Sequence, residues 1–160
     1  MCEPPDWLPP LVRLEDHGGD WKRYINEVFA VFYRDFIQSQ PQLDGRWVRC
    51  RRDPMFDGKE AGFWHCMSEG GDEANRMPDL RRCERIAWIR AVLEHADDGR
   101  VDVWEHQKQR DQRMYLWLGE SYLVVLGRRK GSYQFITAFC TDREHTRRKL
   151  RRERDEARNG

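Results

Sequence analysis

Four segments decide the fold: Val101-Asp102-Val103-Trp104-Glu105, Arg113-Met114-Tyr115-Leu116-Trp117-Leu118, Tyr122-Leu123-Val124-Val125-Leu126 and Tyr133-Gln134-Phe135-Ile136-Thr137-Ala138-Phe139. Each is rich in β-branched and aromatic residues, the composition of strands. Only short connections separate them, among them the turns Gly119-Glu120-Ser121 and Gly127 to Gly131. A parallel pair needs a crossover of a dozen or more residues, so neighbours joined this tightly run antiparallel. Alternation on the last segment places Tyr133, Phe135, Thr137 and Phe139 on one face. Gln134, Ile136, Ala138 and Cys140 fall on the other.

Working upstream, Pro78 and Asp79 open a helix that runs to about Ala96, with Gly99 as its stop. Leu80, Cys83, Ala87 and Ala91 line one side of it, and Ile86, Ile89 and Leu93 lie beside them. Ser68 to Glu73 reads as a Gly- and acid-rich loop. Phe63-Trp64-His65-Cys66-Met67 is a short apolar run, expected as a buried strand. Asp57-Gly58 signals a turn. Arg46-Trp47-Val48-Arg49-Cys50-Arg51 mixes Arg with apolar residues and predicts a strand with one wet, basic face. Asp20 is a helix N-cap followed by Trp21, Ile25, Val28, Phe29, Phe32 and Phe36 at helical spacing, and Pro41 stops the pattern.

Downstream, Asp142 to Arg158 carries eight bases and five acids, with Leu150 as its main apolar residue, and predicts a charged helix. Residues 1–20 contain four Pro and five acids against the single base Arg13. They predict an irregular acidic arm packed by Trp7, Leu8, Leu11 and Val12. The expected fold class is α+β: N-terminal helices packed on an antiparallel β-meander, with a charged C-terminal helix. The division is an arm over 1–20, a single α+β domain over 21–142 and a helical tail over 143–160.

Composition bounds the function. In 160 residues, 39% are hydrophobic and 36% charged, but seven Trp and seven Phe supply enough apolar area for one core. The net charge of +1 conceals 29 basic and 28 acidic residues, so local basic patches are allowed. No apolar run approaches membrane-spanning length and the first residues carry no export signal, which predicts a cytoplasmic chain with no membrane partner and with its five Cys reduced. There is no CxxC or HxxxH pair, no Gly-rich phosphate loop and no GxSxG. Metal, nucleotide-hydrolase and serine-hydrolase chemistry therefore have no support, and no cofactor is expected.

Four constellations remain. His65, between bulky apolar neighbours, is either a core His with one satisfied hydrogen bond or a general acid–base group. Arg81, Arg82 and Arg85 sit together at a helix start, where the helix dipole disfavours cations. They form either a solvated face neutralised by Glu84 or a phosphate clamp, since guanidinium forks match phosphate geometry. The last hairpin combines aromatics and Thr137 with Arg128, Arg129 and Lys130. It is an ordinary basic hairpin or a floor for single-stranded RNA. Arg147-Arg148-Lys149 and Arg151-Arg152 make a solvated helix or a grip on nucleic-acid phosphates.

Four stretches together carry a resemblance: Asp57-Gly58-Lys59-Glu60 with Phe63-Trp64-His65; Ser68-Glu69-Gly70; Pro78-Asp79-Leu80-Arg81-Arg82-Cys83-Glu84-Arg85-Ile86; and Tyr122 to Leu126 continuing to Thr137-Ala138-Phe139. They are similar to a family of small phage- and plasmid-associated bacterial proteins. That family in turn resembles the barnase–EndoU–colicin–RelE group of metal-independent ribonucleases, many of them toxins of toxin–antitoxin pairs. The resemblance spans Tyr24 to Leu150. It implies an RNA endonuclease working by 2′-hydroxyl attack on the adjacent phosphate, with RNA and an antitoxin protein as partners. His65 is then the acid or base, and Arg82 and Arg85 stabilise the phosphorane. Thr137 orients the phosphate. Arg81 and Arg128 bind substrate, and Trp104 or Tyr133 stacks a base. His106 and Glu84 are the candidates for a second acid–base group. Two other expectations stand beside this one: a non-catalytic partner-binding accessory protein, and a nucleic-acid-binding module without chemistry.

Overall fold

The computed structural model describes residues 4–69 and 77–159; most of the loop expected over 68–73 lies outside them. Its elements are α1 (Trp21–Phe32), β1 (Gln42–Leu43), β2 (Arg46–Arg49), α2 (Ala61–Met67), β3 (Ser68–Glu69), β4 (Met77–Pro78), α3 (Leu80–Glu84), α4 (Ile86–Glu94), β5 (Val101–Lys108), β6 (Asp111–Leu118), β7 (Tyr122–Arg129), β8 (Ser132–Cys140) and α5 (Glu144–Asn159). The fold is α+β. Strands order as β1-β2-β8-β7-β6-β5 in one sheet, and β3 and β4 form a separate small ribbon. β5 to β8 pair antiparallel in sequence order. The sheet is nonetheless mixed, not antiparallel throughout, because β2 pairs with β8 in parallel: Trp47, Val48 and Arg49 lie opposite Ser132, Tyr133 and Gln134. The long chain between β2 and β8 permits this, as a short connection would not.

The run Phe63 to Met67 is helical, not a strand. A five-residue apolar run fits either period, and only its surroundings decide between them. Phe63, Cys66 and Met67, spaced i, i+3, i+4, are buried, whereas Trp64 and His65 are half-buried. Gly62 lets this helix approach the chain before it. Its N–H donates to the Arg51 carbonyl at 2.6 Å. A Cβ there would meet the same oxygen at 2.7 Å, closer than real contacts allow.

The helix expected from Asp79 to Ala96 is two helices. Asp79 caps α3 by accepting from the Arg81 N–H at 2.9 Å. At Arg85 the backbone turns out of the helical region (φ −104°, ψ 20°), and α4 begins. The break leaves Leu80 exposed rather than on the buried side. At the first helix the N-cap is as expected: Asp20 accepts from the Arg23 N–H at 3.3 Å. The helix then passes into a π-turn over Tyr33–Gln38 that buries Phe36.

Two apolar clusters lie on opposite faces of the sheet. The larger joins Val28, Phe32, Phe63, Ile86 and Ile89 of the helices to Leu116, Val124, Leu126, Tyr133 and Phe135 of the strands. The smaller contains Trp104, Tyr115, Trp117, Leu123, Val125 and Leu150 of α5. Arg154 and Arg158 of α5 reach Asp102 at 2.9 Å each, and Arg151 reaches Glu120 at 2.6 Å. Among its described residues the N-terminal arm has no regular structure apart from a short turn at Leu14–His17, yet it is tied down. Trp7 stacks on His95 at 4.3 Å and donates to Asp98 at 2.9 Å, and Trp88 donates to the Pro9 carbonyl at 2.9 Å. Among the described residues, no helix is long and apolar enough to cross a membrane.

A β-bulge interrupts the last hairpin. Val125 pairs with Thr137 but Leu126 pairs with Phe135, so Ile136 has no opposite number. An extra residue shifts the side-chain phase of everything after it. Tyr133, Phe135, Ala138 and Cys140 therefore join the larger cluster, while Ile136 and Phe139 pack with the smaller one. The simple alternation expected from the sequence fails at this point.

Phe63 joins α2 to α1 through edge-on and tilted contacts with Phe29 (5.1 Å) and Phe32 (5.4 Å). Phe63→Ala is expected to cost about 3–5 kcal/mol, as for other buried Phe truncations. Urea unfolding of the wild type and the variant measures it. A loss well under about 1 kcal/mol would contradict a helix packed at this site.

Candidate functional site

Arg82 is the hub of the candidate site. The turn of α3 and its Asp79 cap carry Arg82 to the edge of β8 beyond Gln134, where β2 no longer pairs with it. The guanidinium Nη1 donates to the Ser68 carbonyl at 2.9 Å and to the Thr137 hydroxyl at 3.4 Å. Its Nε lies 3.5 Å from an Asp79 carboxylate oxygen without hydrogen-bond geometry, and is a buried donor with no acceptor among the described residues. The guanidinium also sits over the Phe139 ring, 5.5 Å from its centre. With 13% of the side chain exposed, this is a held, partly desolvated cation. Such a group binds an anion more strongly than an exposed one.

Thr137 reaches Arg82 because of the bulge. In plain alternation it would share the face of Tyr133 and Phe135; in the structure it lines a cavity with Leu123, Val125 and Phe139. Arg82 itself walls a polar cavity of about 390 Å³, with Asp79, Arg81, Phe139, Asp142, Arg143 and Thr146. His65 lies on the other side of Ser68. It lines a cavity of about 160 Å³ with Phe56, Asp57, Trp64, Ser68 and Pro78. Trp64 closes one wall by donating to the Phe56 carbonyl at 3.1 Å. Ser68 therefore links the two: its residue lines the His65 cavity and its carbonyl holds Arg82.

The remaining predicted residues separate from this centre. Arg85, at the break between α3 and α4, has partners other than those of Arg82. Arg85 donates to the Arg81 carbonyl at 3.2 Å, lies over the Trp88 ring at 5.1 Å and has Glu84 at 3.6 Å. Arg81 remains at the mouth of the polar cavity, paired with Asp142 at 2.7 Å. Arg128 is bound to Glu105 at 2.5 Å, at the far end of the hairpin. Trp104 (4% exposed) and Tyr133 (3% exposed) offer no face for a base to stack on. Trp104 is stacked on Tyr115 and set edge-on to Trp117, and Tyr133 belongs to the helix-side core. Both are correctly placed on strands by sequence reasoning, but strand alternation does not say that a covering layer exists on each face. Ser68 and Asp79 were not among the predicted site residues, and the Pro78-Asp79 helix start was the one signal that pointed to Asp79.

Three of the described cysteines are held as thiols. Burial pushes the Cys50 thiol up to about 11 and Cys83 up to about 12, and it raises Cys66 well above the ordinary thiol range. The thiolate is the reactive form, so these groups are poor nucleophiles near neutral pH. Among the described residues, no group of three or more His, Cys, Asp or Glu is placed to hold a metal ion. Comparison of the chain with models of protein families, with curated proteins and with solved structures found no match.

Iodoacetamide applied to the folded protein at pH 7 should leave Cys50, Cys66 and Cys83 unmodified, while the same treatment in denaturant labels all three. Peptide mass spectrometry reads the difference. Rapid labelling of Cys50 in the folded protein would contradict its elevated thiol range.

Proposed function

We propose that the chain is a metal-independent RNA endonuclease of toxin type, with Arg82 and Thr137 holding the scissile phosphate and His65 moving a proton. The observation that carries this reading is a held guanidinium 3.4 Å from a hydroxyl, Arg82 on the wall of a polar cavity and Thr137 on the wall of the cavity beside it. A phosphodiester would supply an anionic oxygen for the guanidinium and an acceptor for the hydroxyl.

The reaction follows from the chemistry of the ribose. The 2′-oxygen forms a bond to phosphorus, the bond from phosphorus to the 5′-oxygen breaks, and a 2′,3′-cyclic phosphate remains. One proton leaves the 2′-hydroxyl and one arrives on the departing 5′-oxygen. His65 is the side chain assigned to take or give it, because an imidazole can serve as either acid or base. Arg82 neutralises the charge that grows on the phosphorane oxygens. Arg143, on the wall of the same cavity, attracts the strand to it. Arg85, held against Trp88, supports the α3–α4 junction rather than the phosphate in this reading. No cofactor takes part. The partners are RNA and, by the toxin reading, a protein that blocks this cavity.

Purified protein in EDTA is expected to cleave single-stranded RNA and to leave 2′,3′-cyclic phosphate ends. Arg82→Gln and His65→Ala should each slow cleavage by about 100-fold or more, the usual effect of removing a charge-stabilising donor or an acid–base group. A 2′-deoxy substitution at the cut nucleotide should block it. Circular dichroism of each variant separates loss of chemistry from loss of fold. Unchanged cleavage in both folded variants would overturn the site, and RNA binding without cleavage by the wild type would favour a binding module.

A further inference from the structure

A second, mostly apolar cavity lies on the α5 side of the sheet, between β5–β8 and α5. It encloses about 150 Å³ over an apolar floor of Leu123, Val125, Phe139 and Leu150. Its rim is Lys108, Arg113, Thr137, Thr146, Lys149 and Glu153. Phe139 and Thr146 also line the cavity of Arg82, and Thr137 touches Arg82 itself. The two cavities are therefore neighbours that share walls.

The charges of this rim are not balanced. Most cations of the basic runs are committed: Arg147 donates to the Glu120 and Thr141 carbonyls, and Arg151, Arg154 and Arg158 bind Glu120 and Asp102. Asp111 is shared between two guanidiniums, Arg113 at 3.1 Å and Arg129 at 2.9 Å. Arg129 can lie flat across the sheet because Gly127 leaves the space; a Cβ there would meet its guanidinium at 2.6 Å. Lys108 and Lys149 have no carboxylate partner among the described residues. Glu153 is the acid of the rim, nearly buried, with His106 Nε2 at 3.5 Å. Two lysines and a shared pair of guanidiniums thus face two carboxylates, which leaves the groove positive.

We propose that this groove is a second phosphate subsite, which holds the RNA phosphate next to the one at Arg82. The inference rests on the RNA reading above and extends it: Lys108 and Lys149 bind the neighbouring phosphate as point charges, and Thr137 and Thr146 line the passage between the subsites. An extended strand crossing the shared wall at Phe139 meets cations on both sides of it. An RNA strand fits this better than an acidic peptide. Its charges repeat along one backbone, while its sugars and bases supply the apolar surface that the floor of Leu123, Val125 and Leu150 would cover.

The test uses the full chain and a short fluorescent 2′-O-methyl RNA oligonucleotide, which binds without being cut. Anisotropy gives Kd across a salt series for the wild type, for Lys108→Gln/Lys149→Gln and for Lys22→Gln/Arg23→Gln, an equal charge loss on α1. All four residues are exposed, so the folds should survive. The groove variant is expected to bind about 10-fold more weakly, with a salt slope reduced by about one to two, and the α1 variant to match the wild type. Equal affinity in the groove variant, equal loss in both variants, absence of binding by the wild type, or displacement by a polyglutamate peptide as readily as by RNA would each overturn the subsite. If the groove variant loses binding while the wild type never cleaves RNA, the subsite stands and the nuclease reading fails. If Arg82→Gln abolishes cleavage while the groove variant binds normally, the nuclease reading stands and the subsite fails.

Discussion

The structure turns on one unpaired residue in β8. Ile136 is the extra residue of a β-bulge, and it resets which side of the sheet every later side chain meets. Without it, Ala138 would face α5 and Phe139 would be driven into the helix-side core, where a small residue is accommodated. With it, small Ala138 sits under the helices and Phe139 faces the α5 side. The same shift brings Thr137 to the cavity side, within reach of a guanidinium that comes around the free edge of the strand. Bulges are recurrent beside active sites because they re-aim one side chain without dismantling the sheet. Here the re-aimed side chain is the hydroxyl of the candidate site.

The second constraint is charge. With acids and bases nearly equal in number, what decides whether a cation stays available is the partner that the fold gives it. Arg81, Arg128, Arg151, Arg154 and Arg158 all end on carboxylates. Exposed pairs of this kind contribute little to stability, but they remove a cation from the pool that could bind phosphate. Arg82 differs because its partners are a carbonyl, a hydroxyl and an imperfectly aligned carboxylate, which leave positive charge available. A run of Arg in the sequence is therefore a poor guide to a binding surface. What distinguishes one guanidinium from the next is the element that follows it.

Much of the fold was legible because its signals were local. The meander followed from β-rich segments joined by short turns, the first helix from Asp20 and its apolar spacing, and the last from composition. Three features were not legible, each for a physical reason. The segment Phe63 to Met67 is too short for its period to separate helix from strand. The break at Arg85 has no Pro or Gly to mark it. The bulge is set by packing on both faces of β8, which only the folded chain provides. At the candidate site, sequence reasoning names Arg82, Thr137 and His65 separately; only the fold brings Arg82 against Thr137 and sets Arg82 and His65 each beside Ser68. Trp104 and Tyr133 were placed on the right strands but are covered by layers that no strand pattern can reveal.

The central claim is that Arg82 and Thr137 form one phosphate-holding pair. Its most direct test is a crystal structure of the full chain with a short RNA carrying a single 2′-deoxy position. The account predicts a phosphate whose oxygens lie about 3 Å from both the Arg82 guanidinium and the Thr137 hydroxyl, within hydrogen-bond reach. A strand seated instead along the exposed Trp47 and Arg49 of β2, with Arg82 still bound only to Ser68, Asp79 and Thr137, would contradict it.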